Sequence, residues 1–341
     1  MKKVLAALSG GVDSSFAAYL KIQEGYEVIG VTLDLFGNKN FEDVEKVANF
    51  LGIDWYIANY QRLFSSTVIS YFIKSYIEGL TPNPCAFCNR YAKFPFLINE
   101  MKKLKAHKII TGHYANICEF NNNKYIDQPL DTKKDQTYYL ALLDRTILDN
   151  IEFPLSNYCK SEVRKIASKI NLPSAKRRDS QEVCFLEGIN YKDFLKNKLN
   201  KNKIKKGNFI LNGEVIGSHK GLCYYTIGQR KHLDIGYHKP LYVAKKDTKS
   251  GDIILKEDGP FYAKGIKIKE CSFIDSSTNL QKVYVMIRYR SKKAQATIEK
   301  LPNKRAVILF DEPLDSPAKG QLAAIYNDNK VLGGGFIYEV F

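Results

Sequence analysis

The 341-residue chain contains no uninterrupted apolar run approaching the ~20 residues that a membrane-spanning helix needs. It begins Met1-Lys2-Lys3 and passes straight into an apolar segment, without the cleavage pattern of a secretory leader. These absences predict a cytoplasmic protein that does not contact membranes. Negative charge is also scarce: 36 Asp and Glu stand against 52 Lys and Arg, a formal net charge of +16. Such an excess favours a polyanionic partner, because each phosphate neutralised releases counterions. A lysine-rich surface with no partner would give the same sum, and part of the excess lies in the run from Lys196 to Lys203, which reads as a solvated linker. More telling is Arg288-Tyr289-Arg290, where basic residues flank an aromatic. Nucleic acid is therefore the expected partner. Apolar content of 45% and charged content of 26% are globular proportions, and the length exceeds one ordinary core. Two or three domains follow.

A disulfide framework is missing as well. Seven cysteines is an odd count, and a cytosolic chain keeps its thiols reduced. Cys118, Cys159, Cys223 and Cys271 have no companion at motif spacing and read as small buried or neutral residues. Cys85-Ala86-Phe87-Cys88 is a C-x-x-C on a loop opened by Thr81-Pro82-Asn83-Pro84, where two prolines exclude regular helix. A helix expected from about Tyr91 to Lys105 would place Cys88 near free amides and favour its thiolate. Cys184 lies in Arg177-Arg178-Asp179-Ser180-Gln181-Glu182-Val183-Cys184-Phe185. Zinc would want four ligands, and no second C-x-x-C supplies them. A thioredoxin-like redox pattern is absent too. Three thiols fit sulfur transfer or an iron–sulfur cluster better.

The Gly-Lys-Ser/Thr ending of the Walker phosphate loop is also lacking. In its place stands Ser9-Gly10-Gly11-Val12-Asp13-Ser14-Ser15. It follows Val4-Leu5-Ala6-Ala7-Leu8, a short apolar run suited to a buried parallel strand, and precedes an amphipathic helix that ends by Gly25. Two glycines allow a sharp strand-to-helix turn, and the free amides with the hydroxyls of Ser14 and Ser15 make an anion site. The first half continues as alternating strands and helices: strands at 27–33, 55–58 and 108–111, helices at 41–51 and 62–78. This predicts a doubly wound parallel sheet in an α/β domain, with residues 9–15 and Gly112-His113-Tyr114 at the carboxyl ends of two strands. Beyond about Asn200 short β-prone runs take over. The last ~75 residues read as a small β-barrel or sandwich, after a small central domain.

Ser9 to Ser14 resembles the PP-loop of ATP pyrophosphatases, whose domain is of the adenine nucleotide alpha hydrolase type. The wider chain resembles the tRNA-specific 2-thiouridylase (MnmA) family. The matching motifs are the PP-loop, Thr81 through Asn89, Thr111-Gly112-His113-Tyr114-Ala115, Lys134-Asp135-Gln136-Thr137-Tyr138-Tyr139-Leu140, Asp179 through Phe185, Tyr225-Thr226-Ile227-Gly228-Gln229-Arg230-Lys231, Arg288-Tyr289-Arg290 and Gly333-Gly334-Gly335. The resemblance implies a PP-loop catalytic domain over 1–200, a tRNA-contacting central domain over 201–265 and a β-barrel over 266–341. It implies a tRNA-uridine 2-sulfurtransferase that adenylates O2 of the wobble uridine and replaces it with sulfur, releasing AMP and pyrophosphate from magnesium ATP. Ala7, Leu8, Ser9, Gly10, Gly11, Val12, Asp13, Ser14, Leu33 and Gly112 would then bind ATP. Asn83, Pro84, Cys85, His113, Lys134, Asp135, Gln136, Arg288, Tyr289 and Gln321 would face tRNA.

By the same resemblance Cys88 is the nucleophile and Cys184 carries persulfide sulfur received from a persulfide carrier, with sulfide as the alternative donor in the cluster form. Many members have aspartate where this chain has Cys85. The family's C-x-x-C form implies a 4Fe–4S cluster on Cys85, Cys88 and Cys184, the reading preferred here. The alternative is a Cys184 persulfide resolved as a Cys88–Cys184 disulfide. Two rivals explain less. An amidotransferase-type PP-loop ligase has no use for three thiols, and a non-catalytic RNA-binding protein has no use for an intact PP-loop.

Overall fold

The computed structural model describes residues 2–37, 40–179, 183–186, 188–199, 204–257, 259, 261–275 and 279–341. Ser180, Gln181 and Glu182 of the Cys184 motif, residues 200–203 of the basic run and the expected 200/201 boundary lie outside the described residues.

Strands β1 (Lys3–Ala7), β2 (Glu27–Asp34), β3 (Trp55–Asn59) and β4 (Lys108–Ile110) lie in one sheet. The chain next makes a hairpin of β5 (Asn116–Phe120) and β6 (Asn123–Asp127), then returns to the sheet with β7 (Ile151–Glu152). The order is β3-β2-β1-β4-β7, and every pairing is parallel. Alternation along β1 shows why both faces are covered. Val4 and Ala6 join a core with Phe16 of the first helix (Val12–Gln23) and with Val163 and Ala167 of the helix Lys160–Lys169. Leu5 points the other way, into a core with Val31, Phe64, Phe94 and Leu97. Because β2 and β3 build out from one side of β1 and β4 and β7 from the other, a crevice opens at the carboxyl ends of β1 and β4.

Two expectations are corrected by helix caps. The helical path 84–103 begins at Pro84, ahead of the expected start near Tyr91. A proline in the first turn has no amide to lose, and the Asn83 side chain accepts from the Ala86 amide at 3.1 Å. Both cysteines of the C-x-x-C are therefore helical. Likewise 196–198 are not linker but the end of the helix Tyr191–Lys198, capped by Asn190 and anchored through buried Phe194 and Leu195. The expected helix over 62–78 is present but contains a π-turn at Ser65–Ile69.

A second sheet, from β8 (Gly207–Leu211), β9 (Glu214–His219), β10 (Tyr242–Lys246) and β11 (Ile253–Lys256), is ordered β10-β11-β8-β9. The remaining strands are β12 (Tyr262–Phe273), β13 (Leu280–Met286), β14 (Ala294–Leu301), β15 (Arg305–Asp315), β16 (Leu322–Asn327) and β17 (Lys330–Val340). They form a six-stranded antiparallel barrel closed by β12 against β17. Ile266, Ile268, Val285, Ile298, Ile308 and Ile325 fill its interior. The β5–β6 hairpin, which composition did not reveal, adds to the barrel where Ile126 pairs with Val331. Other bonds strengthen this junction: the Thr81 amide donates to the Lys319 carbonyl at 2.8 Å, and the buried Tyr138 hydroxyl to the Leu322 carbonyl at 2.9 Å. Replacing Tyr138 with Phe removes the second bond at nearly constant shape. The expected cost is about 1 kcal/mol, read as a lower urea midpoint with unchanged slope.

Candidate active site

At the crevice the sequence folds as its glycines demand. Gly10 takes φ +73°, a region closed to most side chains, and Gly11 caps the first helix. Ser14 Oγ and Ser15 Oγ donate back to the Gly11 carbonyl at 3.0 and 2.9 Å, and Ser9 Oγ lies 3.1 Å from Ser14 Oγ. The β4 segment closes on this turn. A Cβ at Gly112 would lie 2.6 Å from Asp13 C and Ser14 N, so glycine is needed for the approach. Leu8 is bonded through its amide to Val31, and Leu33 follows on the adjoining β2. The backbone thus gathers the expected ATP-binding positions at one end of the sheet.

An ion network that sequence reasoning missed covers the loop. Lys160 Nζ lies 2.6 Å from both Asp13 carboxylate oxygens and 2.9 Å from Asp179 Oδ1. Tyr114 OH donates to Asp13 Oδ1 at 2.9 Å. Asp179 also takes Lys134 at 2.8 Å and Arg164 at 2.6 Å. Burial by itself would raise the Asp179 pKa, but the bonds from Lys134 and Lys160 overcome it and hold the carboxyl well below its usual range. Arg177 pairs with Asp43 at 2.9 Å and lies against Gly10. Nothing marked Lys160 among so many basic residues. Asp179 lies in the motif that runs to Phe185.

Several positions expected to face tRNA are engaged within the chain. Lys134 holds Asp179, Asp135 Oδ1 accepts the Thr137 amide at 2.8 Å, and Gln136 Oε1 accepts the Tyr114 amide at 2.9 Å. Asn83 and Gln321 meet across the domain junction, Nδ2 to Oε1 at 3.4 Å. Arg288 donates to the Ser316 carbonyl, and the Tyr289 ring lies 4.6 Å from that of Tyr139. Arg288 and Tyr289 follow β13 rather than lying within a strand.

His113 Nδ1 is 2.8 Å from Thr111 Oγ1, and its ring packs against Phe94 and Phe153. Burial, aided by Lys93, holds its pKa well below the ordinary value, so the imidazole is neutral. Cys85 is half-buried, Cys88 buried and Cys184 exposed, and none is in a disulfide. Burial pushes Cys85 up to about 12 and Cys88 up to about 11, and neighbouring Cys184 adds to both. Lys93 opposes the rise at both thiols without cancelling it. The expectation that helix amides favour the Cys88 thiolate is thus corrected: Cys88 ends the short helix Pro84–Cys88, away from its free amides, and desolvation dominates. Among the described residues no three of His, Cys, Asp or Glu are gathered to hold a metal ion. Cys85, Cys88 and Cys184 are neighbours but not an assembled ligand set.

Comparison with known proteins bears on this arrangement. A family model described as "tRNA methyl transferase HUP domain" matches residues 2–188. "tRNA methyl transferase PRC-barrel domain" matches 192–257, and "Aminomethyltransferase beta-barrel domain" 263–337. A protein of Carboxydothermus hydrogenoformans named "tRNA-specific 2-thiouridylase MnmA" is 37% identical, over 98% of this chain and 97% of its own. Its namesake in Clostridium kluyveri is 38% identical, over 98% and 99%. The chain belongs to the tRNA-specific 2-thiouridylase (MnmA) family. A PP-loop and a cysteine-bearing helix lie in one domain, and the segment 111–114 touches both. Gly112 and Tyr114 contact the loop, while His113 packs on Phe94 of the helical path. For this member, iodoacetamide labelling of Cys88 should accelerate tenfold per pH unit from pH ~7 to ~9.5, whereas an exposed thiol of pKa ~8.5 levels off. Peptide mapping of the labelled protein measures the slope. A plateau below pH ~9 would contradict the raised pKa.

Proposed function

We propose that this chain is an ATP-dependent tRNA uridine 2-thiolase. The observation that carries the reading is the closure of Gly112 onto the PP-loop turn, with neighbouring His113 packed on the helical path that bears Cys85 and Cys88. Adenylation and thiol chemistry thus share one wall. In the first step the uridine C2 carbonyl oxygen attacks the α-phosphorus of ATP. The bond from that phosphorus to the bridging oxygen breaks and pyrophosphate leaves. This turns a poor leaving group into an adenylate. In the second step sulfur attacks C2 and AMP departs with the former carbonyl oxygen.

Magnesium would enter with the nucleotide, held mainly by phosphate oxygens; without nucleotide, Lys160 occupies both Asp13 oxygens. Bound there, it would screen phosphate charge. The loop amides and the Ser9 and Ser14 hydroxyls are placed to receive the pyrophosphate end. Asn83, Gln321, Arg288 and Tyr289, at and near the junction of the first domain with the barrel, are proposed to border the tRNA.

The sulfur is proposed to arrive as a Cys184 persulfide, formed by a persulfide carrier. Exposure of Cys184 supports this role. The Cys88 thiol, its proton passing to solvent as it reacts, attacks the inner sulfur, hydrosulfide is released towards C2, and a Cys88–Cys184 disulfide remains for an external dithiol to reduce. A 4Fe–4S cluster on Cys85, Cys88 and Cys184 is the second reading, favoured by the proximity of a third thiol. Among the described residues the side chains are not gathered as its ligands.

The decisive assay supplies unmodified tRNA, magnesium ATP and a persulfide donor. AMP and 2-thiouridine should form together, and ADP as the product would defeat the proposal. Cys88→Ser and Cys184→Ser should each abolish 2-thiouridine while tRNA-dependent AMP formation continues. Cys85→Asp separates the two sulfur schemes. Retained thiolation by iron-free protein supports the persulfide relay. Loss of both iron and thiolation supports the cluster.

A further inference from the structure

We infer that Lys160 is a catalytic residue of the adenylation step, exchanging its contact with Asp13 for phosphate oxygens of ATP and offsetting the charge that develops on the leaving pyrophosphate. The inference rests on the ATP-dependent reading above and adds a residue that neither the PP-loop motif nor the cysteine chemistry includes.

Three observations carry it. The first is position. The Lys160 side chain is nine-tenths buried, yet its ammonium emerges at Asp13, the second residue of the helix that the PP-loop opens. The Asp13 side chain is about a third exposed, so the pair lies at the mouth of the crevice.

The second is charge. Lys134, Lys160 and Arg164 face the carboxylates of Asp13 and Asp179, three cations to two anions. A third carboxylate, Asp131, accepts the Lys160 amide at 2.8 Å, so the cluster is balanced and an incoming polyphosphate takes the lysine by replacing Asp13 as its partner. Arg177, lying against Gly10, is itself paired with Asp43 at 2.9 Å.

The third is the anchoring of Asp179. Lys134 and Arg164 hold it without help from Lys160, so Asp179 is a fixed post against which the lysine pivots. The lysine therefore keeps one carboxylate partner when it releases the other. A compact ammonium on a buried stem is well suited to a charge that appears only as the phosphorus–oxygen bond breaks.

The test compares wild type with Lys160→Ala, Lys160→Gln and Lys160→Arg as full-length proteins. AMP formation is followed in single turnovers with saturating tRNA and magnesium ATP. Lys160→Ala and Lys160→Gln should lower the rate by about 100-fold to 1000-fold, the usual cost of losing one preorganised donor to a developing anion. Lys160→Arg should recover part of that loss, since the charge returns with altered shape. Affinity for tRNA should not move.

A loss confined to the KM for ATP, with kcat intact, would overturn the inference and leave Lys160 as a neutraliser of Asp13. So would a change in kcat of less than about threefold, far short of the loss expected for a transition-state contact. If Lys160→Ala does not fold, Lys160→Gln decides by the same measures. Calorimetric titration of inorganic pyrophosphate gives a readout independent of turnover: the variants should bind it at least tenfold more weakly, and unchanged binding would overturn the inference. Wild-type protein that binds pyrophosphate through Lys160 but forms no AMP would instead defeat the thiolase reading while keeping this contact.

Discussion

A lysine whose side chain is nine-tenths buried must have its ammonium matched by carboxylates, and the ligand end of the first domain is arranged around that requirement. Lys160 begins a helix that shares a core with the first helix, so the two helix starts meet above β1. Asp13 comes from the PP-loop and Asp179 from the segment that leads towards Cys184, so three distant stretches converge on one charge. Such a network adds little net stability once desolvation is counted, but breaking one partner leaves a buried charge uncompensated. Its value lies in fixing where the loop, the helix and the Cys184 segment stand.

The second organising contact is steric. Gly112 brings the end of β4 onto the backbone of the PP-loop turn, and neighbouring His113 and Tyr114 then face different regions. Tyr114 completes the hydrogen bonds of Asp13, while neutral His113 fills the wall shared with the cysteine helix. From there the connection reaches the barrel through Asn83, Tyr138 and the β5–β6 hairpin. The barrel is therefore bonded to the same short helix that carries Cys85 and Cys88. A polyanion spanning that junction would touch both domains at once, which accords with the basic composition of the chain.

Much of this was legible beforehand where the signal is local. The PP-loop glycines, the alternating strands and helices, and the β-prone final segment each follow from short-range rules and were read correctly. The errors were also local. Pro82 and Pro84 were read as breakers throughout, although Pro84 at a helix start is favourable once Asn83 caps it. The lysines at 196 and 198 were read as linker because Phe194 and Leu195 had no visible core to enter. The expected Cys88 thiolate follows from a helix start near Tyr91, whereas the helix begins at Pro84, about two turns earlier.

By itself the sequence determined the class of the loop, the parallel sheet, the barrel and, through many ordered motifs, the family. These are encoded by residues close in the chain, where glycine conformations, apolar periods and turn residues act over a few positions. Tertiary structure alone decided that Lys160 answers Asp13 and Asp179, that Gly112 closes on the loop, and that burial raises both thiols of the C-x-x-C. Each depends on groups far apart in sequence, whose charge and solvation are set by what the fold places beside them.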